Sequence, residues 1–363
     1  MLIRSLLLIF LFVGSHVQPV AASDVTVAIV GPMTGQFAGF GAQIRAGVEQ
    51  AVADLNTAGG INNKNVKMLV EDDGCDPAKA VASADRVAKL RVALVVGHFC
   101  SRASIPASEL YAQAGTLQIT PASTNPKLTD NRAGPTIFRL SGRDDQQGAV
   151  VADFLARSSA GSISILHDAS NYGRLLAVTA RDELKQQGVK QIAFEALSSD
   201  VTQSVSRLKV SGAETVYFGG SHNNAAQLLR VMSKQGLTAQ FIGSDALATQ
   251  AFWQASGITA NGTLITDLWD PSTYPEARPV VTSLRAKGVR PGKYSLYAYA
   301  AVQAWAQAAA TVGSFQALSV SKQLNASRFN TVIGTFGFDE KGDADKSFYQ
   351  LYRWQDGRYQ PLD

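Results

Sequence analysis

The sequence predicts an α/β protein of two doubly wound parallel-sheet lobes, on three observations. Short β-rich apolar runs alternate with segments of helical periodicity, which implies parallel βαβ units joined by right-handed crossovers. That alternation restarts after a polar stretch at Ser141 to Gln147, which reads as a crossing between lobes. The length is the third observation: about 340 residues follow a leader, more than one typical core holds. An apolar content of 46% with 31 glycines fits packed α/β structure and not a disordered chain.

The chain begins with one positive charge at Arg4, an apolar run from Leu6 to Val13, and small residues at Val20-Ala21-Ala22. That pattern is a cleavable secretory signal with cleavage between Ala22 and Ser23, so residues 1–22 are excluded from the fold. No cysteine follows the site, and a free periplasmic protein is expected.

The first lobe then opens with a buried strand from Val25 to Val30. Gly31-Pro32-Met33-Thr34-Gly35 turns the chain toward Phe40, which sits between glycines in an expected loop. Ile44, Val48, Ala51, Val52 and Leu55 share one helical face, stopped by Gly59-Gly60. Val66 to Val70 is a strand, Pro77 to about Leu90 a helix with Pro in its first turn, and Ala93 to Val96 a strand. Gly97 breaks that strand, and Ser101 and Ser104 open a helix. At such a junction the first helical N–H groups lack partners and the helix dipole adds positive charge, so a carboxylate can be held there. Gln118 to Asn125 repeats the logic, an apolar strand ending in Pro121 and a cluster of hydroxyls.

In the second series, strands fall at 162–166, 192–196, 215–218, 241–243 and 264–266, with helices between them. Asp270-Pro271 and Tyr274-Pro275 mark a second crossing. A long apolar helix covers Tyr294 to Val312, Phe336-Gly337-Phe338 leads into a turn, and Phe348 to Trp354 is a terminal strand. Ligands of open parallel sheets sit outside the carboxyl ends of strands. The candidate cleft is therefore lined by Ser101, Ala122, Ser123, Thr124, Tyr172, Ser221 and Asp245, each following a predicted strand.

Basic and acidic residues are interspersed, and without Arg4 the formal charge falls from +4 to +3. No Lys/Arg run marks a nucleic-acid face, and no nucleic-acid partner is expected. The two cysteines, Cys75 and Cys100, both lie in the exported part, where a disulfide is the default; a metal or redox pair lacks nearby His or Cys partners. The bridge would brace the turn before Ser101. His98, His167 and His222 are isolated and read as structural, with no metal ligands expected. Gly39-Phe40-Gly41 starts like a dinucleotide fingerprint, but Ile44 replaces the third glycine. Gly219-Gly220-Ser221-His222 is not a nucleophile elbow. No cofactor and no catalysis are expected.

The chain resembles the leucine/isoleucine/valine-binding proteins of bacterial ABC importers, the type I periplasmic binding proteins. The resemblance rests on Val27 to Gly35, Asn56 to Ile61, Asp72-Asp73-Gly74-Cys75-Asp76-Pro77, Gly97 to Ser101, Ile119 to Ala122, His167 to Gly173 and Asp339 to Asp343. It implies two α/β lobes joined by three crossing strands and closing on a ligand: residues 23–141 plus 269–334 for lobe 1, and 142–268 plus 335–363 for lobe 2. It further implies that Ser101 and Thr124 hold an α-carboxylate, that Ala122 offers its carbonyl to the ligand ammonium, and that Tyr172 closes over the ligand. Phe40 and Tyr294 would shape the side-chain pocket. Asp245 stands where the family pattern has Glu as ammonium partner, and Ser221 where it has Tyr, which alters branched-chain selectivity. The implied function is binding of an L-amino acid and delivery to a membrane ABC permease, by a monomer. The alternatives are an aromatic carboxylate or small amide as ligand, and a sensing module without transport.

Overall fold

The computed structural model describes residues 24–158, 161–346 and 348–362; the expected leader lies outside the described residues. Strands buried on both faces read as continuous apolar runs, and Val27, Ala28, Ile29 and Val30 are all fully buried in β1 (Val25–Gly31). Helix α1 (Ala38–Thr57) leads to β2 (Val66–Asp72), and α2 (Pro77–Lys89) to β3 (Leu94–Gly97). The Asp76 side chain caps α2 by accepting from the Lys79 N–H at 2.9 Å. Helix α3 (Ser101–Gln113) precedes β4 (Gln118–Thr120), and the short α4 (Lys127–Asp130) precedes β5 (Ile137–Arg139). The five strands form a parallel sheet in the order β2-β1-β3-β4-β5.

The second lobe repeats that order. From α5 (Asp144–Arg157) the chain runs through β6 (Ile163–His167), α6 (Asn171–Gln186), β7 (Gln191–Ala196), α7 (Val201–Val210), β8 (Thr215–Gly219) and α8 (His222–Lys234). It continues as β9 (Gln240–Gly243), α9 (Gln250–Ser256) and β10 (Leu264–Leu268). The parallel order is β7-β6-β8-β9-β10.

After β10 the chain returns to the first lobe with α10 (Arg278–Ala286), α11 (Lys293–Val312), α12 (Ala317–Ala326) and the hairpin β11 (Arg328–Thr331) to β12 (Gly334–Gly337). A helix apolar on nearly all sides belongs in a core, and α11 buries Leu296, Tyr297 and Trp305 beside Val27, Ile29 and Val48. It comes so close to α1 that a Cβ at Gly47 would stand 2.0 Å from the Ser295 carbonyl oxygen. The last strands, β13 (Tyr349–Gln355) and β14 (Arg358–Pro361), then add antiparallel to β10 in the second sheet. Among the described residues no helix is long and apolar enough to cross a membrane.

Four expectations are corrected. Phe40 is in the first turn of α1 and not in a loop; Gly41 serves close packing, since a Cβ there would meet the Pro32 carbonyl oxygen at 1.9 Å. Asp144 to Gln147 is helix and not a crossing, with Asp144 and Asp145 favourable in a first turn and the Gln146 side chain accepting from the Arg143 N–H. Helices α10 and α12 and strand β11 were not anticipated. Residues 335–345 sit with the first lobe and not the second, because β12 pairs with β11 and Phe336, Phe338 and Ala344 pack in the first core.

Candidate functional site

In both sheets the strand order reverses beside the first strand, so the loops after β1 and β3, and after β6 and β8, diverge and leave crevices at the strand carboxyl ends. On the first lobe the turn between β3 and α3 is held from several directions. Cys75 and Cys100 form the expected disulfide, with a Cα–Cα separation of 5.5 Å. His98 Nδ1 lies 2.6 Å from Asp73 Oδ2 and His98 Nε2 lies 3.2 Å from the Tyr111 hydroxyl, all three residues being buried. His98 is thus structural, as its isolation in sequence implies.

The loop after β4 is folded onto that turn. Thr120 Oγ1 donates to the His98 carbonyl at 2.7 Å and accepts from the Ser123 N–H at 3.0 Å. Ser101 Oγ accepts from the Thr124 and Asn125 N–H groups, both at 3.1 Å. From below, the fully buried Arg139 donates to the Asn125 carbonyl at 2.7 Å and is paired with Asp343. Ser101 is half-buried, and the N-cap of α3, Cys100, makes no side-chain cap bond; the Ala103 and Ser104 N–H groups donate to the Cys100 carbonyl at 2.9 Å, which leaves the Ser101 and Arg102 N–H groups at the start of the helix. Donors predominate on this face. Ala122 is buried at its back, and Ser123 is fully buried, its hydroxyl within hydrogen-bond distance of the His98 and Phe99 carbonyls at 3.1 Å and of Ser104. Ser123 therefore supports the shelf from inside and presents no side chain to the cleft.

The second lobe supplies the opposite charge. Asp245 opens a short 3-10 turn after β9, and its carboxylate accepts from the Tyr172 hydroxyl, on the first turn of α6, and from Gln147 Nε2 at 3.2 Å. The Tyr172 oxygen also lies 2.9 Å from Ser244 Oγ, whose hydroxyl can donate to it. Gln147 is satisfied on its other side, where Oε1 accepts from Thr266 Oγ1 at 2.6 Å and from the Asp245 N–H at 3.2 Å. Asp144 lies 3.5 Å from the same Gln147 Nε2, its N–H donates to the Thr124 carbonyl at 2.9 Å, and the Thr124 hydroxyl bonds its carboxyl. Burial first, then the charge of Asp245, pushes the Asp144 carboxyl up to about 7. Burial followed by the same two acids raises the Tyr172 phenol well above its ordinary value, so it stays a donor.

Asp245 is thus a partner of Tyr172 and Gln147 and not a helix cap. Ser221 is the cap: its Oγ accepts from the Asn224 N–H at 3.4 Å, and its own N–H donates to Asp168 at 2.8 Å. Phe40 stacks on Phe99 at 4.6 Å between centroids, and Tyr294 meets both rings edge-on at 5.6 and 5.2 Å. Tyr297, by contrast, is core, its hydroxyl donating to the Trp269 carbonyl. A cavity of about 550 Å³ opens beside Phe40, Tyr294 and Asp245. Sequence reasoning missed Asp144, Gln147 and Phe99. The acidic pair and Gln146 before the apolar positions Val150, Val151 and Phe154 were the signal for a helix start at the cleft. Among the described residues no group of His, Cys, Asp and Glu is arranged to hold a metal.

Two doubly wound lobes with a donor shelf facing an acidic pair define a two-lobed solute-binding protein. The chain belongs to the periplasmic binding protein family, whose model matches residues 24–358. Within it, the chain is 41% identical over 350 residues to an amino acid binding protein of Pseudomonas aeruginosa, covering 94% of this chain and 93% of that one. It is 38% identical over 347 residues to Leu/Ile/Val-binding protein homolog 1 of Brucella suis, covering 93% of each. A Desulfitobacterium hafniense ABC transporter substrate-binding protein, solved in complex with Leu, shares the fold with a TM-score of 0.81 at 24% identity, covering 93% of this chain and 100% of that chain. These relatives are solute-binding proteins and not enzymes, and the chain groups with the Leu/Ile/Val-binding protein homologs of the family.

Proposed function

We propose that this protein is exported by cleavage after Ala22, binds an L-amino acid between its lobes as a monomer in the periplasm, and delivers it to a membrane ABC permease. The observation that carries the reading is the opposition of the two faces. A zwitterion buries a carboxylate and an ammonium, and each needs an opposite complement once desolvated. The Ser101 hydroxyl and the α3 N-terminus serve the carboxylate; the Ala122 carbonyl and Asp245 serve the ammonium. Because Ser101, the α3 N-terminus and Ala122 belong to one lobe and Asp245 to the other, the ligand makes all of these contacts only when the lobes are closed, and its binding energy, about 8 kcal/mol for a micromolar site, favours closure. Tyr172 closes one side, and Phe40 and Tyr294 line the path of the side chain. Ser221, as a helix cap, leaves the second-lobe wall more open than a tyrosine would.

The test is a thermal-shift screen of the leaderless protein, unfolded and refolded to strip carried ligand, against the L-amino acids and a set of benzoates and small amides. A ligand at 100 times its Kd adds about 2.7 kcal/mol to the folded state. Stabilisation by one or more amino acids is expected. Stabilisation by an aromatic acid or amide alone would overturn the amino-acid reading.

A further inference from the structure

One end of the cavity beside Asp245 is not used by the two poles of an amino acid. Besides Phe40, Tyr294 and Asp245, its lining includes Asp267 at the end of β10, Lys293 at the start of α11, and Gln43 on α1. Asp267 is buried, in direct contact with the Lys293 ammonium, and also accepts from the Leu268 N–H at 2.8 Å and the Tyr359 hydroxyl at 3.4 Å. Burial opposes the Lys293 charge, but the adjoining Asp267 carboxylate overrides it and holds the ammonium protonated. An ammonium carries three donors; one is directed at Asp267, and the side chain keeps 19% of its surface exposed. In the same lining, Gln43 Oε1 is buried and has no hydrogen-bond partner among the described residues.

An aliphatic side chain lodged here would desolvate the exposed part of Lys293, leave Gln43 Oε1 unpartnered and return nothing. Leaving a buried polar group unsatisfied costs more than a typical hydrogen bond gains. For that reason a site built to hydrogen-bond its ligand rejects the apolar analogue far more strongly than an apolar pocket rejects a hydroxyl. A charged distal group fares little better, since Lys293 and Asp267 already neutralise each other and either sign meets a like charge. Resting on the amino-acid reading above, we propose that this end of the cavity is a side-chain subsite for an uncharged hydrogen-bonding group. A carboxamide or hydroxyl there accepts from Lys293 and donates to Asp267 or Gln43, and the preferred ligand is a polar amino acid in place of a branched-chain one.

Titration calorimetry on the stripped, leaderless protein tests this with two near-isosteric pairs, asparagine against leucine and glutamine against methionine, plus glutamate and lysine. The polar member of at least one pair is expected to bind tenfold tighter than its apolar partner and tighter than either charged acid. In Asp267→Leu/Lys293→Met, which replaces the buried ion pair by apolar groups of similar size and so preserves folding, the preference is expected to invert. Gln43→Leu, an independent variant that leaves the ion pair in place, is expected to reduce it at least threefold. Tighter binding of leucine and methionine than of asparagine and glutamine, or a charged acid binding best, overturns the subsite alone. So does a preference unchanged in both variants. Absence of binding by every amino acid in a folded protein overturns the amino-acid reading itself.

Discussion

The two faces of the cleft stand on the same strand order, yet one is built from spent side chains and the other from unspent ones. On the first lobe Ser101, Thr120, Ser123 and Arg139 are all engaged with backbone groups of the turns they support. Their hydrogen bonds, the disulfide and the His98–Asp73 pair hold those turns still, and what faces outward is backbone N–H and a hydroxyl. On the second lobe Asp245 is approached by the neutral donors Gln147 and Tyr172, which orient its carboxylate without cancelling its charge, while burial and Asp245 favour the protonated form of the neighbouring Asp144. The difference teaches how a binding protein divides a zwitterion: preorganised dipoles on one lobe, net charge on the other, neither sufficient alone.

The largest effect should come from loosening the rigid face. Arg139→Met strands Asp343 in the interior with one partner fewer, and breaking a buried pair costs about 3–5 kcal/mol. Urea denaturation should show this loss, with a smaller one for Arg143→Met, whose side chain is 13% exposed while contacting the same Asp343. Equal losses would mean that burial is not what sets the value of this network.

Removing the disulfide with Cys75→Ser/Cys100→Ser should cost about 3.5 kcal/mol by the loop-closure estimate for a separation of 25 residues. If the first face is the preorganised one, ligand affinity should fall together with stability in calorimetry; unchanged affinity would show that the shelf keeps its shape without the bridge.

On the charged face Asp245→Asn should weaken amino-acid binding by about 100-fold, the usual scale for losing one partner of a desolvated charge pair. The ligand-free melting temperature should hold or rise, because Asp144 loses a like-charged neighbour. Undiminished affinity would remove the ammonium from this face.

The smallest effect is a pH dependence. The Asp144 carboxyl is raised from 3.8 to about 7 by burial and Asp245, with Asp145 adding to it and Thr124 and Arg139 opposing it. A carboxyl raised by folding adds stability that is complete below its unfolded value and is lost as pH rises through the folded one. The melting temperature of the unsubstituted protein should therefore fall between pH 4 and pH 8 relative to Asp144→Asn. Parallel profiles would show that Asp144 ionises as freely in the fold as out of it.

The central strands of both lobes were legible because parallel strands buried on both faces carry unbroken apolar runs, as in Val27 to Val30. Ser101, Thr124, Tyr172 and Asp245 are proposed from the sequence because each follows such a run, where open sheets gather ligands. Phe40 was misplaced for a local reason: glycines at 39 and 41 read as chain breakers, whereas Gly41 is small so that α1 can touch Pro32. Asp144 and Gln147 were hidden because a helix start rich in Asp and Gln looks like a solvated crossing until its neighbours are known. The hairpin β11 to β12 was too short to show a period.

By itself the sequence determined the class of fold and the disulfide partners. Those follow from burial patterns and chain order, which are local properties. Only the tertiary structure decided that Ser123 points inward, that Gln147 holds Asp245, and that Lys293 lies on Asp267. Each of these joins elements distant in the chain, and their separation depends on strand order and helix packing, which no local pattern of residues records.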